Sequence, residues 1–261
     1  MPRTVVITGA SSGIGAALSS LLAERGDQVV GVDLSGSDID ADLSTPHGRT
    51  AAAEEVGKRT GHVDAVITCA GTSNPGEAMV TVNYFGCTSF IEALQPLLAK
   101  SEAPRVVLVG SISGTQPNDP AVVEACLRGD EQAALTAARE AIADNRAVQL
   151  YPSSKSAVAQ WARRTSVSAG WADAGIAVNV VAPGVVLTPM TDELFANPQM
   201  KAVMDKAVPM PLHGYAAAED VARVLAYFAD AATTHITGQV VFVDGGIDVF
   251  ADHGRNDSNV H

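Results

Sequence analysis

The chain is poor in the features that define several large classes of protein. Its 261 residues include only three cysteines, Cys69, Cys87 and Cys126. That odd number, without metal-ligand spacing, excludes a disulfide framework and fits a reducing cytosol. No run of about 18 residues is free of charges and helix breakers, so no membrane span is expected. Basic residues are scarce: 17 Lys and Arg stand against 29 Asp and Glu, a net charge of −12. Non-specific nucleic-acid binding needs a positive surface and is excluded; the acidity serves solubility. There is no internal repeat. The amino-terminal MPRTVVITGA lacks the apolar stretch and cleavage site of a secretory signal. These absences predict a cytoplasmic protein with no metal, no nucleic acid and no membrane partner.

What is present is a chain 47% hydrophobic and 18% charged, long enough for one large α/β domain with a filled core. Short apolar runs alternate with longer helical patterns. Strands are predicted at TVVIT (4–8), QVVGVD (28–33), IDADL (39–43), AVIT (65–68), RVVLVG (105–110), IAVNVV (176–181) and QVVFVD (239–244). They are apolar on both faces, as in a parallel sheet covered by helices. Helices are predicted over 13–25, 45–60, 76–99, 152–173 and 217–230. This βαβα alternation predicts a doubly wound, seven-stranded parallel sheet of Rossmann type, with ligands at the carboxyl ends of its strands. The domain is expected to span 1–250, followed by a polar tail, 251–261.

Three places break the rhythm. Only residues 34–38 separate the second and third strands, too few for a crossover helix. Either a bare loop joins them or one strand is misassigned. About 35 residues, 116–150, precede YPSSK and read as two short helices around Gly129. A long Pro- and Met-bearing segment follows IAVNVV; over 185–214 it reads either as ordinary packing or as an apolar lid over a substrate.

Between the first strand and first helix lies TGASSGIG, with Gly9, Gly13 and Gly15 in a G-x-x-x-G-x-G pattern. Glycine permits the tight turn and a close backbone approach to a pyrophosphate. The helix starting near Gly13 aims free N–H groups and its positive dipole end at the phosphates. Ser11, Ser12 and Ile14 complete the turn. Asp33 ends the second strand, 18 residues after Gly15. A carboxylate there accepts bonds from both adenosine ribose hydroxyls and repels a 2′-phosphate. Its sequence neighbours, Ser11, Ser12, Leu34, Ser35 and Gly36, include no basic residue, so NAD is favoured over NADP. Four of the six histidines, His47, His62, His213 and His235, are scattered without ligand-like spacing. Cys69 and Cys87 read as apolar filling.

YPSSK, residues 151–155, is ambiguous alone, since any helix places residues four apart on one face. Taken with the other motifs, the chain resembles the short-chain dehydrogenase/reductase family from about residue 3 to 250. TGASSGIG is similar to the family's cofactor turn, and Asp42 and Leu43 to its adenine-holding pair. CAG (69–71) stands where the family has Asn-Ala-Gly, placing Ala70 and Gly71 at the cofactor. Cys69 there implies a modest loss of stability. VNYFG, VGSISG and YPSSK resemble the segments carrying the family's catalytic residues, here Asn83, Ser111, Tyr151 and Lys155. APGVVLT resembles the Pro-Gly segment, placing Pro183, Gly184 and Val186 at the cofactor and Thr188 at the nicotinamide amide.

The resemblance implies alcohol–ketone interconversion. Tyr151 moves the proton. A free phenol ionises near pH 10, and the nearby Lys155 charge favours the phenolate. Lys155 also binds the nicotinamide ribose. Ser111 polarises the substrate oxygen, and Asn83 holds a water linking Lys155 to solvent. Pro152 suits a helix's first turn. The abbreviated 34–38 connection, VNYFG and the 40-residue step from Ser111 to Tyr151 resemble the bacterial 3α-hydroxysteroid dehydrogenase/carbonyl reductase type within the family. That implies an NAD-linked enzyme for a hydrophobic, steroid-like substrate. A non-steroid (terpenoid or aromatic) alcohol dehydrogenase and a non-catalytic NAD-binding sensor are the alternatives, and NADH consumption on a ketone panel separates them. The expected assembly is a homodimer through 217–230 and 239–244, with a tetramer as the alternative.

Overall fold

A computed structural model describes residues 2–249; the expected polar tail, 251–261, lies outside the described residues. The elements run β1 (Thr4–Thr8), α1 (Gly13–Glu24), β2 (Gln28–Asp33), β3 (Ile39–Asp40), α2 (Pro46–Arg59) and β4 (Ala65–Thr68). Then come α3 (Ala78–Val80), a π-helical turn (Thr81–Phe85), α4 (Gly86–Leu98), β5 (Arg105–Val109) and a 3₁₀ turn (Ile112–Thr115). Next are α5 (Pro120–Leu127), α6 (Glu131–Ala143), a 3₁₀ turn (Ala147–Gln149), α7 (Leu150–Thr165) and β6 (Ala177–Pro183). The chain closes with β7 (Val186–Leu187), α8 (Pro189–Ala196), α9 (Pro198–Ala207), β8 (Ala216–Ala217), α10 (Ala218–Ala229) and β9 (Val240–Val243).

Seven strands form one parallel sheet in the order β3-β2-β1-β4-β5-β6-β9, and β7 pairs with β8 separately. The apolar-on-both-faces pattern has a direct cause. Val5 and Ile7 of β1, Ala65 and Ile67 of β4, and Val107 of β5 enter a core with Leu18 and Leu22 of α1 and Leu225 of α10. The alternate residues, Val6, Val66, Val106 and Leu108, enter the opposite core with Phe90, Ile91 and Leu94 of α4 and Val158 of α7. The central strands are sandwiched because the residues on both of their faces are buried. β1 feeds β2 on one side while β4 lies on its other, so the carboxyl ends of β1 and β4 flank the crevice where the winding reverses. Among the described residues no helix is long and apolar enough to cross a membrane.

The third predicted strand is corrected: only Ile39–Asp40 of IDADL pairs, and 41–45 turns into α2. The bare-loop alternative holds for 34–38, and the register explains how. Val32 faces Ile39 and Asp33 faces Asp40, so the chain steps back about one residue rather than a full strand. Gly31, beyond the short partner, donates its N–H to Asp38 Oδ2 at 2.8 Å, where a longer β3 would have supplied a carbonyl.

Two helices also differ from expectation. The 76–99 helix is interrupted by the π turn, marked by Gly86 N–H bonding Thr81 O five residues back. The 152–173 helix starts at Leu150 and stops at Thr165. Ser166 and Ser168 hydroxyls take the Arg163 and Thr165 carbonyls, and Gly170 and Gly175 turn the chain at positive φ.

At the amino ends of the strands the loops are tied by arginine. Arg3 donates to Asp64 O at 2.9 Å, Ala103 O at 3.0 Å and Ala229 O. Arg105 holds Asp230 O and Ala231 O. Residues 116–150 fold as α5 and α6, with Gly129 between them at φ 71°. α5 lies along α7, and Val122, Ala125, Cys126, Ala134 and Ala138 extend the α4–α7 core. Arg49 of α2 reaches α6 through a two-oxygen ion pair with Glu131, at 2.7 and 2.8 Å.

Candidate active site

The glycine turn is built too tightly for side chains. A Cβ on Gly15 would stand 2.0 Å from Gly9 O, and one on Gly9 2.7 Å from Ala70 N. Gly9 and Gly13 have φ of 67° and 51°. The turn therefore presses on the 69–71 segment after β4, where Ala70 N–H bonds Thr8 Oγ1 at 3.2 Å. Ser12 is the extended N-cap residue of α1, and Ile14 packs partly buried against the α1 core. Asp33 Oδ2 accepts from Ser11 N at 2.9 Å and Oδ1 from Leu34 N at 2.7 Å. Ser11 Oγ bonds Ser35 O at 3.0 Å. The turn and the carboxylate are thus one rigid unit. A glycine cradle facing a helix N-terminus, with a carboxylate one strand away, fits a dinucleotide.

Leu34 is 70% exposed beside that carboxylate, whereas Leu43 is buried in the core. Asp42 is exposed and accepts Ser44 N–H at 2.9 Å. Leu43 can therefore offer an adenine only its main chain.

On the other side of the crevice the residues of the three family-like segments converge. Lys155 is 6% exposed, and its Nζ donates to Val109 O, at the end of β5, at 3.0 Å. The ammonium lies 5.7 Å from the centre of the Tyr151 ring. A Cβ on Gly71 would be 3.3 Å from Asn83 Oδ1 and 3.8 Å from Lys155 Nζ, which puts both against this turn. Asn83 is fully buried in the π turn, a distortion frequent at functional sites. Its amide accepts Thr72 N–H at 2.8 Å and donates to Thr72 O at 3.0 Å and Ser154 Oγ at 3.3 Å. Ser111 caps the 3₁₀ turn after β5, accepting Ser113 N–H at 3.1 Å. Gly114 of that turn packs on the Lys155 backbone, where a Cβ would approach within 3.2 Å.

The Pro-Gly segment follows β6. Gly184 lies against Asp244 and Met210, and Val186 is buried in the α1–α10 core, leaving its main chain for any ligand. Thr188 sits over the glycine turn: a Cβ on Gly13 would be 3.3 Å from its Cβ. Beyond it, α8 and α9 cover a small cluster of Ile112, Val185, Val208, Met210 and Ile247, with Phe195 and Met204 packed on it. Leu187 and Met190 are about half exposed; the side chains of Leu194 and Met200 lie outside the described residues.

Sequence reasoning missed three contributors. Thr72 clamps Asn83, Asp38 completes the shortened connection, and Ser154 links Asn83 to α7. Only Ser154, inside YPSSK, carried a local signal. Among the described residues no group of three or more His, Cys, Asp or Glu could hold a metal. Burial pushes the Cys126 thiol up to about 12 and the Cys87 thiol upward, which suits packing rather than nucleophilic use.

The sheet order and the glycine turn define a dinucleotide-binding fold, with Asn83, Lys155 and Tyr151 gathered beside Gly71. A family model described as enoyl-(acyl carrier protein) reductase matches residues 9–248. The chain belongs to the short-chain dehydrogenase/reductase family and is an oxidoreductase of that family. It is 32% identical over 249 residues to the 3-alpha-hydroxysteroid dehydrogenase/carbonyl reductase of Comamonas testosteroni, covering 94% of this chain and 96% of that one. It is 31% identical to 3beta-hydroxysteroid dehydrogenase 1 of Eggerthella lenta, covering 95% and 94%. The crystal structure of the 3-alpha-hydroxysteroid dehydrogenase of Pseudomonas sp. B-0831 complexed with NADH matches with a TM-score of 0.89 and 38% identity, over 96% of this chain and 99% of that one.

Proposed function

We propose that the protein is an NAD-dependent hydroxysteroid dehydrogenase and carbonyl reductase, interconverting a secondary alcohol and a ketone on a bulky apolar substrate. The observation that carries this reading is the buried Lys155 ammonium, held by Val109 O and facing the Tyr151 ring beside Gly71 and Asn83. Gly9–Gly15 would hold the pyrophosphate of a nicotinamide dinucleotide and Thr188 its nicotinamide amide, and the bound cofactor would supply or accept the hydride. Tyr151 gives its phenolic proton to the ketone oxygen, or takes it from the alcohol. Lys155 spends one of its three donors on Val109 O and keeps two for ribose hydroxyls. Ser111 Oγ donates to the substrate oxygen. Asn83 Oδ1 has one lone pair engaged by Thr72 and keeps the other for a water leading outward from Lys155.

Asp33 selects NAD. A 2′-phosphate there would meet a carboxylate already fixed by Ser11 and Leu34, and the neighbouring Asp38 and Asp40 are exposed carboxylates. The lid supports an apolar substrate. Residues 183–200 contain no Arg or Lys, and Lys201 is engaged by Asp205 at 2.9 Å and by the Tyr215 ring at 5.6 Å. Burial is worth about 25 cal/mol per Å² of apolar surface, which favours a rigid multi-ring molecule. The test is kcat/KM across steroids, cyclic ketones and short oxo-acids, each with NADH and NADPH. Steroids and bulky ketones with NADH are expected to lead. Preference for an anionic oxo-acid overturns the substrate class, and equal turnover with NADPH overturns the role of Asp33.

We also propose a homodimer. α5 covers part of α7, whereas among the described residues β9 ends the sheet with an open edge and Tyr227 of α10 is 56% exposed. Open edges favour pairing. Light scattering is expected to give twice the 26.8 kDa chain mass; a tetramer joined through α4 contradicts this assignment.

A further inference from the structure

The two serines inside YPSSK are both fully buried, and each fastens the first turn of α7 to a different neighbour. Ser154 accepts from Asn83 and donates to Tyr151 O at 2.8 Å. Ser153 points the other way. Its hydroxyl donates to Gln149 O at 2.6 Å and accepts the main-chain N–H of Asp119 at 2.9 Å. Asp119 opens the inserted pair of helices: its Oδ1 caps α5 by accepting Ala121 N–H at 3.0 Å. Its Oδ2 takes Arg146 Nη1, and that carboxyl side chain is only 7% exposed. Arg146 closes the insertion. Its N–H bonds Ala141 O at 2.7 Å at the end of α6, and its own carbonyl accepts Gln149 N–H at 2.9 Å.

These contacts form a closed ring. Arg146 leads through 147–149 to Gln149, whose carbonyl binds Ser153, which binds Asp119, which returns to Arg146. The ring joins the two ends of the insertion to each other and to the turn that presents Tyr151. Pro152 has no N–H to contribute, so the turn depends on side chains for its anchoring. We propose that Ser153, Asp119 and Arg146 are positioning residues that set where the Tyr151 hydroxyl stands relative to Ser111 and Lys155. The insertion is then part of the catalytic apparatus, acting through the start of α7. This inference rests on the proton-transfer reading of Tyr151, and its test separates the two.

Asp119→Asn keeps the α5 cap, because the amide oxygen still accepts Ala121 N–H, but removes the charge that ties Arg146 to the start of α5, leaving the guanidinium only Asp144 of its own end of the insertion, at 3.2 Å. Ser153→Ala cuts the ring at the helix. Proton transfer is sensitive to displacements of about 1 Å or less, so each variant is expected to lower kcat by about tenfold. KM and the NADH dissociation constant, read by cofactor fluorescence, should change less than about twofold, since neither residue touches the cofactor turn. Amide hydrogen exchange over 147–153 should accelerate in both, without cofactor present. Asp119→Glu, which restores the charge, should recover part of the rate lost in Asp119→Asn. Wild-type kcat in either variant overturns the proposal. So does a loss of kcat matched by an equal loss of NADH affinity and melting temperature, which would mean general destabilisation. Tyr151→Phe is measured alongside. If that variant retains its rate, the proton-transfer reading fails; if it is inactive while Ser153→Ala and Asp119→Asn keep wild-type kcat, only the positioning ring fails.

Discussion

Tyr151→Phe is expected to lower kcat by about 10²–10⁴-fold, the usual worth of a positioned acid–base group. The ring is half-buried against the α4–α7 core, and phenylalanine fills the same space, so the fold should survive. Only the transferable proton is lost. Ser111 and Lys155 keep their anchors at Ser113 and Val109. NADH should still bind, because the glycine turn and Asp33 are untouched. Stopped-flow turnover and fluorescence titration of the same preparation distinguish the two quantities. Retention of most of the wild-type rate would remove Tyr151 from the chemistry.

Lys155→Met should damage two functions together. Methionine keeps much of the buried length, so the loss is chiefly of charge and donors. Among the described residues Lys155 has no carboxylate partner in an ion pair; its ammonium is held by a carbonyl and stands near the Tyr151 ring. Removing it takes away the positive charge beside the Tyr151 ring and the donors assigned to the ribose. A hydrogen bond to a charged group is worth about 1.5–3 kcal/mol, so NADH affinity should fall by about tenfold or more. kcat should fall by about 10²-fold or more, comparable to losing an oxyanion donor. A variant with lowered kcat but unchanged NADH affinity would confine Lys155 to the proton step and take it off the ribose.

Much of the sheet was legible because its strands are buried on both faces. TVVIT, AVIT and RVVLVG have no other destination than a covered parallel sheet, and the order of glycine turn and Asp33 fixed the cofactor end. IDADL misled because its alternation imitates a strand. The real constraint there is a turn: Asp42 O and the Asp42 carboxylate serve the main chain ahead of α2. Helices α8 and α9 went unread although Thr188-Pro189 and Asn197-Pro198 carry an N-cap followed by proline, the ordinary opening of a helix. The surrounding Pro and Met made the segment look irregular. Side-chain closures over long separations were illegible in principle. Ser153 meets Asp119 across 34 positions and Arg49 meets Glu131 across 82, and no periodicity encodes such pairs.

The arginine knot at the amino ends of the strands bears on how the protein is handled. Arg3 collects carbonyls from two loops and from the last residue of α10, and it stands two residues from the first methionine. An exopeptidase that trims through Arg3 would spare every motif discussed above while untying those contacts at one stroke.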